Sequence, residues 1–350
     1  MCEMPPRPFV LEVPVKKPIK ITVLGGGTGN YTLLTGLKKL ENVELSAIVS
    51  IADNGGSSGI LRDELGVLPP GDIRQCFAAL ADEGEEGDEP QLLRRLLSHR
   101  IDGEGSLAGH TLGNILLAGL QNMFGDSLKA IRAAHQVLRV KGRVIPVSAV
   151  SGHLCAELED GSVIEGEHAI EEAGAGRSAI ARCELKPAIE ANAEAIETIL
   201  GADALVFAPG DLYTSLVPVL LVQGVASAIR DSPARRFYVV NLVTKRGQTD
   251  GYGAMRFVDT VSRFLPETRL EHILLNDGAI PAELLARYEA EGEHPVFDDL
   301  PKDDLRVVRS DFVCRTPVPT VSGDALKRSL IRHDPGRLAV AIAHLITQEA

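Results

Sequence analysis

The fold is decided by one stretch, ITVLGGGTGNYTLLTGLKKL at Ile21–Leu40 followed by SAIVSIADNGGSSGILRDELGVLPPGDIRQC at Ser46–Cys76. Two apolar, β-branched runs, Ile21–Leu24 and Ala47–Ile51, each empty directly into glycine. The first opens on Gly25-Gly26-Gly27-Thr28-Gly29-Asn30, the second on Asp53-Asn54-Gly55-Gly56-Ser57-Ser58-Gly59. Between them, Leu33, Leu34, Leu37 and Leu40 recur at helical spacing, which predicts a helix over Tyr31–Leu40. Short apolar runs without polar alternation suit parallel strands buried on both faces. Glycine is needed where the backbone turns at positive φ, or where a phosphate must approach main-chain N–H groups with no Cβ in the way. A helix starting at such a turn adds unpaired N–H groups and the positive end of its dipole. Strand, glycine turn, helix, strand is therefore the opening of an α/β sheet whose carboxyl edge can hold an anion. Gly25, Gly27 and Asn30 fill the G-x-G-x-x-G frame without its third glycine, so the match to a dinucleotide fingerprint is incomplete.

Working outward, Ile60–Leu65 reads as a short helical turn carrying Arg62. Pro69-Pro70-Gly71 sets a turn, and Asp72 is expected to cap a helix through Ile73, Cys76, Phe77 and Leu80. Arg62 and Arg74 lie close to the glycine turns. Each is either a fork for phosphate oxygens or one half of a surface ion pair with Asp63, Glu64 or Asp72. His110 and Asn114 bracket a glycine turn before the apolar run Ile115–Leu120, as ligand contacts or as structural groups. A strand is expected over Arg143–Val150, and Glu159-Asp160-Gly161 closes a hairpin between Leu154–Leu158 and Ser162–Ile164, a small antiparallel excursion. Pro187–Ile199 reads as a helix.

Ala204–Ser215 repeats the first motif: a strand, a turn at Gly210, then Tyr213, Thr214 and Ser215 before a helix over Val219–Ile229. Asp211 is expected to cap or to face solvent, away from an anion. Arg236–Val243 is a strand ending at Asn241, with Thr244, Lys245 and Gln248 on the rim. A helix over Ala254–Phe264, a strand over Leu270–Asn276 and an edge strand over Leu305–Arg309 follow. Asp334 and Pro335 start a closing helix, Arg337–Thr347.

The bulk properties narrow the function classes. With 350 residues, 45% of them apolar, the chain can bury a large core. A net charge of −12 argues against general affinity for nucleic acid or anionic membrane, so anionic ligands must be met by local donors. Five cysteines without a C-x-x-C pair suit reduced thiols in the cytoplasm rather than a zinc site or a disulfide framework. No apolar run is long enough to span a bilayer. Residues 1–20 read as an N-terminal arm and 21–350 as one α/β domain with a weak internal boundary near 150. The acidic stretches Asp82–Glu89 and Glu289–Asp304 read as solvated loops.

Five blocks in order carry a resemblance: GGGTGN at Gly25–Asn30, ADNGGSSG at Ala52–Gly59, LGVLPPGDIR at Leu65–Arg74, GHTLGN at Gly109–Asn114 and APGDLYTS at Ala208–Ser215. Together they resemble the bacterial gluconeogenesis factor family, the YvcK-type proteins. These are relatives of the CofD-type transferase that builds the phospholactyl part of a flavin-like coenzyme. The resemblance implies a Rossmann-like, doubly wound, mainly parallel sheet with helices on both faces. It implies a regulatory protein that binds a UDP-sugar such as UDP-N-acetylglucosamine and serves gluconeogenic growth, cell-wall synthesis and cell shape. No cofactor is required on this reading, though Mg²⁺ can accompany the nucleotide at Asp53. Carried onto this chain, the ligand contacts are Gly26, Gly27, Thr28, Gly29, Asp53, Asn54, Arg62, Asn114, Tyr213 and Thr214. Asn30, Gly55, Arg74, His110, Gly210 and Asn241 join them from the turns themselves.

Two positions depart from the family pattern. Asp53-Asn54 stands where two aspartates are usual, which weakens a divalent-cation site. Asp211 stands where a serine is usual, which adds negative charge beside a diphosphate. The alternative activity is a CofD-like transfer of a phosphorylated group from a nucleotide diphosphate to an alcohol. There Asp53 would hold Mg²⁺ or orient the hydroxyl, and Arg62 or Arg74 would steady the leaving phosphate. A nicotinamide-dependent oxidoreductase is the third reading, disfavoured because Asp53 comes late for a ribose carboxylate and is followed by a second glycine turn. No residue in the sequence stands out as an activated nucleophile. A homodimer is expected for a protein of this kind.

Overall fold

The computed structural model describes residues 17–82, 92–172, 174, 176–316 and 330–348. The chain runs β1 (Ile19–Gly25), α1 (Gly27–Leu37), β2 (Val43–Val49), α2 (Gly56–Leu65), α3 (Pro70–Leu80), α4 (Leu92–Ser98), α5 (Leu112–Phe124), α6 (Ser127–Leu138) and β3 (Arg143–Pro146). A smaller unit follows, with β4 (His153–Leu158), β5 (Val163–Glu165), α7 (Glu167–Glu172) and β6 (Ile180–Lys186). The main sheet then resumes through α8 (Ala193–Leu200), β7 (Ala204–Phe207), a π-helical turn at Leu212–Leu216, α9 (Val217–Leu221), α10 (Val225–Asp231) and β8 (Arg235–Val239). It closes with α11 (Ala254–Phe264), β9 (His272–Asn276), α12 (Ala282–Ala290), β10 (Val307–Ser310) and α13 (Pro335–Thr347).

Seven strands form one sheet in the order β10-β9-β8-β7-β1-β2-β3, and every neighbouring pair is parallel. The small sheet is antiparallel, ordered β5-β4-β6. The expected doubly wound sheet and its antiparallel excursion are both present. Strand β1 shows why: Ile21 and Val23 enter one core with Leu33, Leu34, Phe77 and Leu338, while Leu24 enters the other with Phe207, Leu216 and Phe257. A strand apolar on both faces is stable only between two helical layers.

From β1 the chain winds outward to β2 and β3, then returns to place β7 on the other side of β1. The strand order therefore reverses between β1 and β7, and the turns leaving these two strands lie side by side there. Such a switch point is where open α/β sheets bind their ligands.

Several boundaries differ from the sequence reading, each for a local reason. Helix α1 begins four residues early, at Gly27, and α2 begins at Gly56, because the glycines themselves form the first helical turns. Helix α3 starts with Pro69 at the cap position and Pro70 as its first residue. Asp72 is thus inside the helix and is not its cap. Strand β3 is shorter than expected, ending at Pro146. Helix α8 begins only at Ala193, capped by the Asn192 side chain, because Glu190 and Ala191 are extended against Gln223. The helix expected over Val219–Ile229 is broken at Gly224, where φ is +93°. Strand β6 went unpredicted, since Arg182, Glu184 and Lys186 on its exposed side mask the buried Ile180, Cys183 and Leu185. Helix α13 begins as expected, with the Asp334 carboxylate accepting from Arg337 N–H and Pro335 in first position. Residues 1–16 of the expected N-terminal arm and residues 83–89 of the acidic loop lie outside the described residues.

Candidate functional site

Three glycine-led turns leave the carboxyl edge at the switch point. After β1, Gly26 precedes α1; after β2, Gly55 precedes α2; after β7, Gly210 and Asp211 precede the π-helical turn. None of the three starts has a side-chain cap. Helices α5, α6, α8 and α13 are capped by Thr111, Asp126, Asn192 and Asp334, while α3, α9, α10, α11 and α12 also lack a side-chain cap; what sets the three starts apart is that they converge at the switch point. The N–H groups of Gly27, Gly55 and Gly210 are met by side chains from elsewhere, Asp72, Asp53 and Asn241, so what these starts turn toward the cleft is their positive dipole ends and the remaining N–H groups of their first turns.

Close packing holds the turns together. A Cβ on Gly29 would lie 2.7 Å from the carbonyl carbon of Pro209 and nearer still to its oxygen, so the first and third turns touch through backbone. Asn241 clamps the third turn: its Nδ2 donates to the Gly210 carbonyl at 2.6 Å and its Oδ1 accepts from Gly210 N–H at 3.4 Å. Replacing Asn241 with alanine removes both bonds and should lower stability by about 1–3 kcal/mol, seen as a reduced urea midpoint. An unchanged midpoint would show that the turn holds itself.

The cleft between the turns is lined by carboxylates. Asp53 Oδ1 accepts from Gly55 N–H at 2.9 Å, and a Cβ on Gly71 would lie 2.6 Å from its Oδ2. Asp72, from the first turn of α3, accepts from Gly27 N–H and so bridges α3 to the first glycine turn. Helix α7 adds Glu167 and Glu171, which hydrogen-bond each other, and Glu171 also meets Asp211. Asp53 and Asp72 are closely surrounded by protein, each only partly exposed. That burial is the main cause pushing Asp72 up to about 8, and repulsion from Asp53 and Glu171 adds to it. Asp53, Glu167 and Glu171 are also raised, burial again leading. Asp211 thus points toward Glu171, against the expectation that it only caps or faces solvent. Among the described residues, no group of three or more His, Cys, Asp or Glu side chains is arranged to hold a metal ion. No step is therefore assigned to Mg²⁺ at Asp53.

The remaining predicted residues separate into those at the cleft and those beneath it. Thr28 is in the first turn of α1. Asn54 ties the second turn to α7, its Oδ1 accepting from His168 N–H at 2.8 Å. Thr214 Oγ1 lies 3.4 Å from Glu171 Oε1. Arg62 is paired with its neighbour Asp63 at 2.8 Å, the ion-pair alternative, and also lies near enough to Asp53 to act on it. Arg74 Nε donates to Asn114 Oδ1 at 3.0 Å, Asn114 Nδ2 donates to Ser57 Oγ at 3.0 Å, and Ser57 Oγ lies 2.8 Å from His110 Nδ1. Asn30 is fully buried under the first turn with Nδ2 toward Cys76 Sγ, and Tyr213 is buried with its hydroxyl 2.8 Å from that of Tyr252. Both support the turns from below. A cleft of about 710 Å³ lined by Lys20, Glu44, Lys141, Arg143 and Glu197 lies at the opposite, amino edge of the sheet and contains none of these residues.

Ser57, Asp72, Glu167 and Glu171 are the residues that the sequence reading did not bring to the site. Asp72 was visible only as a cap or as an ion-pair partner for Arg62 or Arg74. Glu167 and Glu171 arrive on α7, more than 90 residues after the second turn, with no motif around them.

Comparison with known proteins agrees with this architecture. The family model described as 2-phospho-L-lactate transferase CofD matches residues 21–313. A putative gluconeogenesis factor of Thermotoga maritima is 39% identical over 327 residues, 93% of this chain and 99% of the relative. The gluconeogenesis factor of Bacillus subtilis is 38% identical over 333 residues, 94% of this chain and 98% of its own. A crystal structure from Bacillus halodurans, described as a member of the upf0052 family, superposes with a TM-score of 0.83 at 37% identity. It covers 94% of this chain and 100% of that one.

Proposed function

The chain belongs to the CofD family, among its gluconeogenesis factors, and from that premise we propose that it binds a nucleoside-diphosphate sugar at the switch point and acts as a regulatory factor. The observation that carries this reading is the convergence of three glycine-led turns whose helix starts lack side-chain caps. The diphosphate lies across the starts of α1 and α2 and the turn at Gly210, where backbone N–H groups meet its oxygens. The uridine and sugar extend to either side along the carboxyl edge. A UDP-sugar of the UDP-N-acetylglucosamine kind is the proposed ligand, and through it the protein links precursor supply for the cell wall, and so cell shape, to gluconeogenic growth. The raised carboxyl groups of the cleft are compatible with an anion because, when protonated, they bring hydrogen bonds without charge. No metal is needed for binding on this reading. The reading places the protein in the cytoplasm, where the free thiols of Cys76, Cys155, Cys183 and Cys314 are stable. Among the described residues no helix is long and apolar enough to cross a membrane.

Thermal unfolding against UDP, UDP-N-acetylglucosamine, UDP-glucose, GDP and NAD, each with and without Mg²⁺, tests the proposal. A ligand at ~100 times its Kd adds ~2.7 kcal/mol, a visible rise in Tm. The UDP-sugars should give that rise without Mg²⁺. A flat response to every uridine nucleotide overturns the reading, and a rise only with GDP and Mg²⁺ redirects it to the CofD-like transfer.

A further inference from the structure

We propose that Ser57 is an activated nucleophile with His110 as its general base, placed to attack the diphosphate of a nucleoside-diphosphate sugar held at the switch point. The inference rests on the nucleotide reading above for its substrate, but not for its chemistry. Ser57 is the second residue of α2, half-buried in the first turn of a ten-residue helix whose Gly55 cap supplies no side-chain acceptor. Its Oγ lies 2.8 Å from Nδ1 of the buried His110, within reach for proton transfer. The same Oγ accepts from Asn114 Nδ2 at 3.0 Å, and Arg74 Nε, donating to Asn114 Oδ1 at 3.0 Å, holds that amide with its NH₂ toward the serine.

With the imidazole neutral and its proton on Nε2, every donor in this series meets one acceptor: guanidinium to amide oxygen, amide nitrogen to hydroxyl, hydroxyl to imidazole. The arrangement does two things for a departing proton. His110 Nδ1 takes it, and the Asn114 N–H together with the start of α2 stabilise the negative charge that grows on Oγ. Asn114 and Arg74 are positioning residues.

In the step, Ser57 Oγ forms a bond to the β-phosphorus while its proton passes to His110 Nδ1. The bond from that phosphorus to the bridging oxygen breaks, and the nucleoside monophosphate leaves with the electron pair. Ser57 is left as a phosphodiester of the sugar. No oxidant, reductant or further reactant enters.

An alkyl fluorophosphonate reads the activation directly, since it reacts with activated serines and not with ordinary ones. The full chain should take one label, located on Ser57 by peptide mass, and saturating UDP should block it. Ser57→Ala should take none, and His110→Ala should slow labelling by at least about 100-fold, the usual range for loss of a general base. His110→Gln, which keeps a hydrogen-bonding side chain, should be equally slow and serves if His110→Ala does not fold. With UDP-N-acetylglucosamine the wild type should release UMP and gain the mass of a sugar phosphate at Ser57. No label on Ser57, or an equal rate in the His110 variants, overturns the proposal. If UDP raises Tm while Ser57 stays unlabelled, the nucleoside-diphosphate reading stands and this inference alone falls. If Ser57 labels but no uridine nucleotide binds, the nucleophile stands and its assigned substrate is wrong, which overturns the proposal as stated.

Discussion

Gly29→Ala should yield little or no folded protein, whereas Gly119→Ala, also inside a helix, should be slightly more stable than the wild type. The contrast follows from what a methyl group meets. On Gly29 it falls 2.7 Å from the Pro209 carbonyl carbon and still closer to the oxygen; the obstacle is backbone, held in turn by Asn241. Nothing flexible can step aside, so either α1 slides or the third turn is pushed off, and both disturb the switch point. Gly36, two turns further along α1, repeats the situation: its methyl would lie 2.6 Å from the Pro335 carbonyl carbon at the start of α13. Each substitution should cost at least about 4 kcal/mol, in the range reserved for severe overpacking. Gly119 is exposed on α5 with nothing within 4 Å of the added carbon, so alanine there gains about 0.4–1 kcal/mol through the unfolded chain. Urea unfolding of the three variants checks the order. A Gly29→Ala protein with a wild-type midpoint would mean that α1 does not abut the Pro209 turn.

That contrast also marks what a single sequence can and cannot disclose. The need for glycine at Gly25–Gly29 was legible because strand, turn and helix are contiguous there. The same holds for β2, β7, α11 and the Asp334 cap of α13, each announced by residues within a few positions. The partners were not legible. Nothing near Gly29 names Pro209, and nothing near Ser57 names His110, 53 positions later. Asp72 shows how a local rule misleads: aspartate before an apolar run reads as a cap, yet Pro69 and Pro70 start α3 three residues earlier and turn the carboxylate toward Gly27. Helix α7 is the extreme case. Glu167 and Glu171 reach the cleft because α7 packs between the small antiparallel sheet and the π-helical turn after β7, and the strand that completes that sheet, β6, hides its alternation behind charged residues. The scaffold is encoded in runs, and the acidic lining in tertiary contacts.

Asp72→Asn should make the protein progressively more stable than the wild type as pH rises from about 5 to 9. Burial, with repulsion from Asp53 and Glu171, holds the Asp72 carboxyl up at about 8, against 3.8 for a free one. Between those values the folded protein keeps a proton that the unfolded chain has released. Bound protons are then more numerous in the folded state, so stability falls with rising pH. The contribution is complete below about 4 and is lost as pH climbs through about 8. The slope cannot exceed ~1.4 kcal/mol per pH unit for one proton. Asp53, Glu167 and Glu171, all raised as well, share the charge and act in the same direction. Asparagine cannot ionise, while its Oδ1 still accepts from Gly27 N–H, so the variant removes the Asp72 share of this slope and little else. The gap between variant and wild type should be small near pH 5 and reach a few kcal/mol at pH 9, read from urea midpoints across the series. Nucleotide binding should follow the same course, weakening in the wild type above about pH 8 as the cleft gains charge and persisting further in the variant. A gap that stays constant with pH would show that Asp72 is ionised throughout. Loss of UDP binding in the variant at pH 6 would show that its carboxylate contacts the ligand or a cation, rather than serving as a neutral bridge between α3 and the first glycine turn.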